Sequence, residues 1–236
     1  MTHFKINKSF LKIFGIIVIL LIMTDSFAYK TFEFTTVSDI VKKVKERFSD
    51  LESYQANFKI ESVKLGDKSY KNGVMKYKAS NKMLIEFSNP KGQKIISNGK
   101  VMWIYIPSMN VVAEQDLKSD SNSLFSSATS SGLKRLFSKY HYKFASNKQP
   151  EKQSDGSLQY TLFLKQRETR SGFRTIKLWI SEDFLITKAY GESTTGKSIE
   201  IVFNNIQTNI VLSNSIFQFD IPTSARIIKN PMISEE

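Results

Sequence analysis

The sequence predicts a mainly β fold with a few helices, built around one antiparallel sheet. Apolar and polar residues alternate with a period of two through most of the chain between Tyr54 and Phe219, which is the pattern of strands with one buried face. Short turns separate these runs, and Asn98-Gly99 is a strong two-residue hairpin signal. No linker or shift in composition divides residues 29–236. Successive strands joined by short turns favour an antiparallel meander in one domain.

Residues 1–28 have the features of a secretory signal peptide. Three lysines precede an uncharged apolar run at residues 13–23, and Ser26-Phe27-Ala28 supplies small residues for a signal peptidase. The run has eleven residues, fewer than the roughly 20 that span a bilayer, which disfavours a membrane anchor. We therefore expect cleavage after this tripeptide, export to the periplasm and a mature domain at residues 29–236.

The first element of the mature chain is predicted to be an amphipathic helix. Its apolar positions recur at helical spacing: Ile40, Val41, Val44, Phe48 and Leu51. Its other face is basic: Lys42, Lys43, Lys45 and Arg47. This basic face is either a docking patch for an anionic surface or an ordinary solvated helix face, and the second reading is the commoner one.

The strands that follow carry large apolar residues, since the chain has eighteen Phe, nine Tyr and two Trp. A curled antiparallel sheet with such residues on its concave face holds either a hydrophobic ligand or a packed core. The alternation places nine residues on the inward face, as candidate ligand contacts: Phe58, Ile60, Met75, Tyr77, Met83, Ile85, Phe87, Trp103 and Tyr105. Several of these are also expected to be ordinary core.

Residues 118–140 interrupt the strands. They are serine-rich but keep apolar residues at helical spacing, which predicts one or two short helices held by packing rather than by helix propensity. The segment is either a lid, able to leave its site at low cost, or a structural helix that closes one end of the sheet. The candidate lid residues are Leu124, Phe125, Leu136 and Phe137.

The composition excludes several kinds of chemistry. The absence of cysteine rules out disulfides, a thiol nucleophile and Cys-ligated metals. His3 lies in the predicted leader, so a catalytic triad would have to use His141, and a His-rich metal site is ruled out. No phosphate loop or nucleophile elbow is present. We predict a protein that is not an enzyme, with no catalytic residue, metal or cofactor.

The chain carries a formal net charge of +12, of which the three lysines and one aspartate of the leader contribute +2. The mature domain therefore keeps +10, which favours anionic partners. Five basic residues surround a predicted hairpin tip: Lys165, Arg167, Arg170, Arg174 and Lys177. Because export argues against nucleic acid as the physiological target, a membrane headgroup or an acidic protein is the expected partner of this cluster.

Five blocks of sequence, in order, resemble a known family. They are residues 53–58 (SYQANF), 73–90 (GVMKYKASNKMLIEFSNP), 95–105 (IISNGKVMWIY), 196–205 (GKSIEIVFNN) and 217–222 (FQFDIP), the last two matching closing strands. By the order and spacing of these blocks, the sequence resembles the LolA family of periplasmic outer-membrane lipoprotein carriers over nearly the whole mature chain.

The resemblance implies an incomplete, open antiparallel β-barrel with a helical lid over a hydrophobic cavity for acyl chains. It implies a monomeric chaperone that accepts lipoproteins from an inner-membrane ABC-type lipoprotein-releasing complex and hands them to an outer-membrane lipoprotein acceptor. Two alternatives stay open. One is a carrier or sensor of another lipid or lipoprotein ligand on the same fold, and the other is an envelope interaction module whose inward face is packed shut.

One position departs from the family pattern. Members usually have an arginine, in a Lys-Arg-Pro run, where this chain has Lys78-Ala79-Ser80, and that arginine holds the lid helices through hydrogen bonds. Strand alternation predicts that Ala79 points toward the cavity, where an alanine locks nothing. We therefore expect a differently held lid or a more open resting state, with Lys78 and Lys82 as candidate replacements.

Overall fold

A computed structural model describes residues 35–117, 130–168 and 172–231. Its two α-helices are α1 (Val37–Ser49) and α2 (Ser130–Lys139), and two short 3-10 helices span Pro107–Met109 and Asn214–Phe217. The strands are β1 (Ser53–Lys64), β2 (Asp67–Lys78), β3 (Lys82–Asn89), β4 (Lys94–Asn98), β5 (Val101–Ile106), β6 (Val111–Asp116), β7 (Tyr140–Phe144), β8 (Glu151–Lys152), β9 (Leu158–Gln166), β10 (Phe173–Ser181), β11 (Ile186–Ser193), β12 (Ser198–Thr208) and β13 (Arg226–Lys229). The predicted leader, the lid residues Leu124 and Phe125, and Arg170 of the basic cluster lie outside the described residues.

All thirteen strands of the described chain belong to one sheet, in the order β13-β6-β5-β4-β3-β2-β1-β12-β11-β10-β9-β7, with β8 paired to β9. Two meanders, β1–β6 and β9–β12, are joined by the antiparallel pairing of β1 with β12. The one parallel pair among these strands is β13 with β6. Because β7 and β13, at the two ends of this order, are not paired with each other, the sheet is open. The predicted fold class, mainly β with an incomplete antiparallel barrel, is confirmed.

Helix α1 begins at a capping box. The Thr36 N–H donates to Asp39 Oδ2 at 2.8 Å, and the Asp39 N–H donates to Thr36 Oγ1 at 3.2 Å, so two backbone donors of the first turn are satisfied reciprocally. Hydrogen bonds from the Thr36 side chain and backbone hold the pKa of Asp39 below its ordinary value. The apolar side of the helix buries Ile40, Val41 and Val44, as the sequence predicts.

Both helices pack on the same face of the sheet, which we name the inner face. The buried cluster beneath them consists of Ile40, Val41, Val44, Leu133, Phe137, Tyr140, Leu162, Leu164, Leu178 and Ile180. Residues directly opposite each other in an antiparallel pair share a face. Leu178 lies opposite Ala189 on β11, and Ala189 lies opposite Ile201 on β12. Since Ile201 in turn lies opposite Ile60, the inner face continues into β1 and the first meander.

Residues 210–225, which we name the C-terminal strap, cover the outer face of β3–β6. Leu212 and Phe217 of the strap form one buried cluster with Leu84, Ile96, Trp103 and Val112. Phe217 has no exposed surface. The sequence predicts a closing strand at this point, but the chain forms a 3-10 helix over Asn214–Phe217, because its apolar residues bury against a sheet face rather than pairing at an edge.

Candidate ligand-binding face

The inner face of β1–β5 is lined by apolar side chains, which together we name the apolar inner surface. It comprises Phe58, Ile60, Met75, Tyr77, Met83, Ile85, Phe87, Ile95, Met102 and Ile104. The strand register aligns them, since Tyr77 lies opposite Met83 and Met75 lies opposite Ile85. Seven of the nine residues predicted to share a face therefore do so.

Phe58 and Phe87 meet on this surface although a strand separates them. Gly73 of β2 lies opposite Phe58 on one side and opposite Phe87 on the other. Because Gly73 has no side chain, the two rings approach to 5.4 Å between centroids in an edge-to-face arrangement, which is favourable for aromatic pairs. A Cβ at Gly73 would lie 2.0 Å from the Glu86 carbonyl oxygen, so glycine is required for this approach.

The apolar inner surface is only partly enclosed. Met83 retains 5 % exposure and Tyr77 retains 9 %, whereas Met75, Ile85 and Phe87 are half-buried. Half-buried apolar side chains that line one continuous face can gain further contact with an apolar ligand.

One end of the apolar inner surface is contacted by helix α1, whereas the other end is contacted by neither described helix. The group around Tyr54 and Tyr77 includes Phe48 at the end of α1. The group around Met83 and Met102 is completed by residues of the same sheet and by Leu117. Over residues 35–117, 130–168 and 172–231, neither helix contributes to this second group, in which Met83, Ile95 and Met102 are buried and Ile85 and Phe87 are half-buried.

Trp103 and Tyr105 do not belong to this surface, and the prediction that they face inward is wrong. Trp103 lies opposite Ile96 and Tyr105 lies opposite Lys94, on the outer face. Both rings pack beside Phe219 of the C-terminal strap, at 6.3 Å and 5.7 Å between centroids. The strap supplies an apolar partner on the outer face, which the sequence pattern did not reveal.

Ile95, Met102 and Ile104 are the residues of this surface that the prediction omits. In the run VMWIYI at positions 101–106 every residue is apolar, so alternation defines no face. Ile95-Ile96 on β4 is equally ambiguous. The turn between these strands is Gly99-Lys100, one residue later than the predicted Asn98-Gly99. The register across this turn, which places Ile95 opposite Ile104 and Ile96 opposite Trp103, assigns the faces.

That Ala79 points inward stays a prediction, because this residue lies beyond the strand on whose alternation the prediction rests. Strand β2 ends at Lys78, so alternation no longer applies one residue later. Ala79 is exposed in the turn, where its N–H donates to the Glu52 carbonyl oxygen at 2.8 Å.

Lys78 and Lys82, considered as replacements for the family arginine, hold the C-terminal strap instead. Lys78 Nζ donates to the Leu212 carbonyl oxygen at 2.8 Å, and Lys82 Nζ donates to Asn214 Oδ1 at 3.2 Å. Both contacts lie on the outer face, because Lys78 alternates with Tyr77 along β2. The prediction that these lysines hold the helices is therefore wrong.

Helix α1 contacts α2 and β12 through two residues of its basic side, Lys45 and Arg47. Lys45 Nζ lies 5.6 Å from the centroid of Phe137 on α2, a cation–π geometry. Arg47 Nη2 donates to Thr208 Oγ1 at 3.2 Å. Phe137 is 2 % exposed and Leu136 is half-buried. The basic side of α1 thus makes intramolecular contacts, and the two predicted lid residues on α2 are packed into the core beneath the helices.

The apolar inner surface offers hydrophobic contact to a ligand. In the described part of the chain, no group of three or more His, Asp or Glu side chains is able to hold a metal ion. Burial raises the pKa of Tyr54, Tyr77 and Tyr140, so these hydroxyls stay protonated at neutral pH. None of the helices in this part of the chain is long and apolar enough to cross a membrane.

The chain has the fold of an open antiparallel β-barrel, with two helices packed over one end of its apolar inner face. A family model described as "Outer membrane lipoprotein carrier protein LolA" matches residues 49–220. The chain therefore belongs to the LolA family, as its sequence blocks predict.

Two curated relatives and several solved structures are similar to this chain. An outer-membrane lipoprotein carrier protein from Hahella chejuensis is 24% identical over 157 residues, covering 66% of this chain and 71% of the relative. An uncharacterised protein from Methanocaldococcus jannaschii is 21% identical over 192 residues, covering 81% of this chain and 53% of its own length.

The crystal structure of a LolA superfamily protein from Nitrosomonas europaea matches with 16% identity and a TM-score of 0.40, covering 78% of this chain and 98% of that one. The lipoprotein LppX from Mycobacterium tuberculosis matches with 11% identity and a TM-score of 0.43, covering 75% and 99%.

Proposed function

We propose that this protein is a periplasmic chaperone that binds the acyl chains of lipoproteins on its apolar inner surface and carries them from the inner to the outer membrane. The observation that carries the proposal is the alignment of ten apolar side chains on one sheet face. Membership of the LolA family supports it, as does the name of the Hahella chejuensis relative.

A carrier is needed because lipid tails are costly to expose to water. Three acyl chains contain roughly forty methylenes, and each contributes about 0.8 kcal/mol. Exposing them all would cost on the order of 30 kcal/mol, so free diffusion across an aqueous compartment is negligible. Any protein that moves such cargo must offer apolar contact area of its own.

The apolar inner surface also allows bound acyl chains to be released. The side chains of Met75, Ile85 and Phe87 offer non-directional contacts, which are lost without leaving a buried polar group unsatisfied. Cargo can therefore leave when a more apolar environment is presented. In this proposal, an inner-membrane ABC-type complex loads the carrier, which works as a monomer, and an outer-membrane acceptor unloads it.

Site-specific photo-crosslinking in intact cells tests the proposal. A photoreactive phenylalanine analogue replaces either Phe87 on the apolar inner surface or Tyr105 on the outer face, which serves as the matched aromatic control on the same sheet. We expect adducts with lipoproteins from position 87 and none from position 105. Equal adducts from both positions, or adducts from position 105 alone, would contradict ligand binding on the inner face.

Mass spectrometry of the trapped cargo separates this function from its alternatives. Triacylated proteins support the lipoprotein carrier, and a free lipid as the sole adduct indicates a carrier or sensor of another ligand. No adduct at all indicates an interaction module with a closed interior. N-terminal sequencing of the same protein tests the leader, with Tyr29 as the expected first residue.

A further inference from the structure

The outer face of β7, β9 and β10 carries a basic groove that the proposed acyl-chain binding does not use. The groove has a volume of about 640 Å³, and its lining includes His141, Lys143, Phe163, Lys165, Arg174 and Thr175. His141 lies opposite Lys165, and Thr175 lies opposite Lys165 from the other side. The meandering register therefore gathers, on one face, cations from three strands.

Cations and aromatic rings form one row across this face. Lys143 lies opposite Phe163, Phe163 lies opposite Lys177, and Lys177 lies opposite Tyr190. Lys143 Nζ is 5.7 Å from the Phe163 centroid, and Lys177 Nζ is 4.9 Å from the Trp179 centroid. The ammonium group of each lysine thus lies over the face of an aromatic ring, in a cation–π geometry.

The positive charge of the groove is only partly neutralised within the chain. Arg174 pairs with Glu192 at 3.5 Å on the same face. In the described ranges, no carboxylate lies within 4 Å of Lys143, Lys165 or Lys177. The C-terminal strap packs on β3–β6, so none of the described segments covers this half of the outer face. Three neighbouring cations without a carboxylate partner create a positive potential that favours an anionic ligand.

We propose that this groove and the adjoining Lys177 dock the protein on anionic membrane surfaces, with Lys143, Lys165 and Lys177 contacting the phosphates of acidic phospholipids. The adjacent Phe163 and Trp179 rings favour a membrane over an acidic protein, because aromatic side chains concentrate at the level of lipid headgroups. Docking through the outer face leaves the apolar inner surface unobstructed. The proposal goes beyond acyl-chain carriage, since it concerns the opposite face and a different chemistry.

Vesicle co-sedimentation of the purified protein tests this docking. The probes are vesicles of phosphatidylcholine mixed with phosphatidylglycerol and vesicles of phosphatidylcholine alone. We expect binding to the anionic vesicles that is lost as salt rises from about 0.05 to about 0.5 M, because screening shortens the reach of the lysine charges. Replacing all three lysines by glutamine (K143Q, K165Q and K177Q) should lower the partition coefficient about fivefold per lysine, on the order of 100-fold in total.

Two matched triple variants distinguish the effect of the three groove-side lysines from a general effect of lost positive charge. Replacing Lys64, Lys91 and Lys100 by glutamine removes the same charge from exposed positions outside the groove, and we expect it to leave most of the binding intact. The charge-preserving triple K143R, K165R and K177R should bind like the natural protein, which controls for folding. Equal losses in both glutamine variants would show a general charge effect and overturn the proposal.

Two further outcomes would also reject membrane docking. One is the absence of salt-sensitive binding to anionic vesicles by the natural protein. The other is binding of a polyglutamate peptide in the groove with no vesicle binding, which would assign the groove to an acidic protein partner. Uptake of a fluorescent fatty-acid probe by the inner face should be unchanged in the groove variants, so a failure of docking is distinguishable from a failure of carriage.

Discussion

Gly73 sets how closely β2 and β3 approach and, through that, where Phe58 and Phe87 meet. The register shifts beside it, between Asn72 and Gly73, and its missing side chain leaves room for the Glu86 carbonyl group. A single residue thereby shapes the apolar inner surface without contributing a contact of its own.

Replacing Gly73 by alanine should lower the free energy of unfolding by about 3 kcal/mol, because a methyl group 2.0 Å from a backbone oxygen must push two paired strands apart. Urea denaturation measures the loss. Gly66→Ala is the control: its φ is +90° and no atom lies within 4 Å, so it carries only the backbone strain of about 1 kcal/mol. A loss at Gly73 no larger than that at Gly66 would contradict the steric account.

Among the elements, the C-terminal strap determines that the outer face of β3–β6 is buried rather than exposed to solvent. Its Leu212 and Phe217 turn the outer side chains of β3–β6 into a second core. Ser53 Oγ donates to the Ile210 carbonyl oxygen at 2.6 Å, and Lys78 Nζ reaches the Leu212 carbonyl. The strap is thus bonded to the first meander at its start and buried at its centre.

Phe217→Ala should lower the free energy of unfolding by about 3–5 kcal/mol, because a fully buried ring leaves a cavity between strap and sheet. The matched control in the same segment is Val211→Ala, whose side chain is fully exposed and whose loss should stay within about 0.5 kcal/mol. Thermal or urea unfolding compares the two variants. Similar stability in both would show that the strap does not stabilise the sheet.

At the level of the whole molecule, stability is linked to pH through buried tyrosines in both halves of the sheet. Tyr54 and Tyr77 lie in the first meander and Tyr140 lies on β7, and burial raises the pKa of each hydroxyl. An unfolded tyrosine loses its proton near pH 10. Above that pH the unfolded state has released protons that the native state still binds, so stability falls as pH rises; below it, this contribution is fully present.

We therefore expect the urea midpoint to fall between about pH 9 and about pH 11. Since lysines titrate in the same range, the comparison that isolates the tyrosine is Tyr54→Phe, which removes the ionisable hydroxyl and keeps the ring. The fall should be smaller in this variant than in the natural protein. Parallel pH profiles of the two proteins would show that Tyr54 does not contribute.

The sequence predicts the inner positions well where strand alternation is unambiguous. Phe58, Tyr77 and Phe87 each sit between polar neighbours, and the register places all three on one face. It fails for Trp103, because its strand is apolar throughout. Alternation does not extend to Ala79, because β2 ends at Lys78, one residue earlier.

The amino-acid sequence by itself determined the period of each segment, the antiparallel meander, the absence of thiol chemistry and the family, since all of these follow from local alternation, composition and the order of short blocks. Only the tertiary structure decided which face each apolar residue occupies and how the two meanders join through β1 and β12. It also decided that Lys143 of β7 joins Lys165 and Arg174 in one outer groove. The physical reason is that face and neighbourhood depend on register and on packing between segments more than a hundred residues apart, and local pattern carries no information about such contacts.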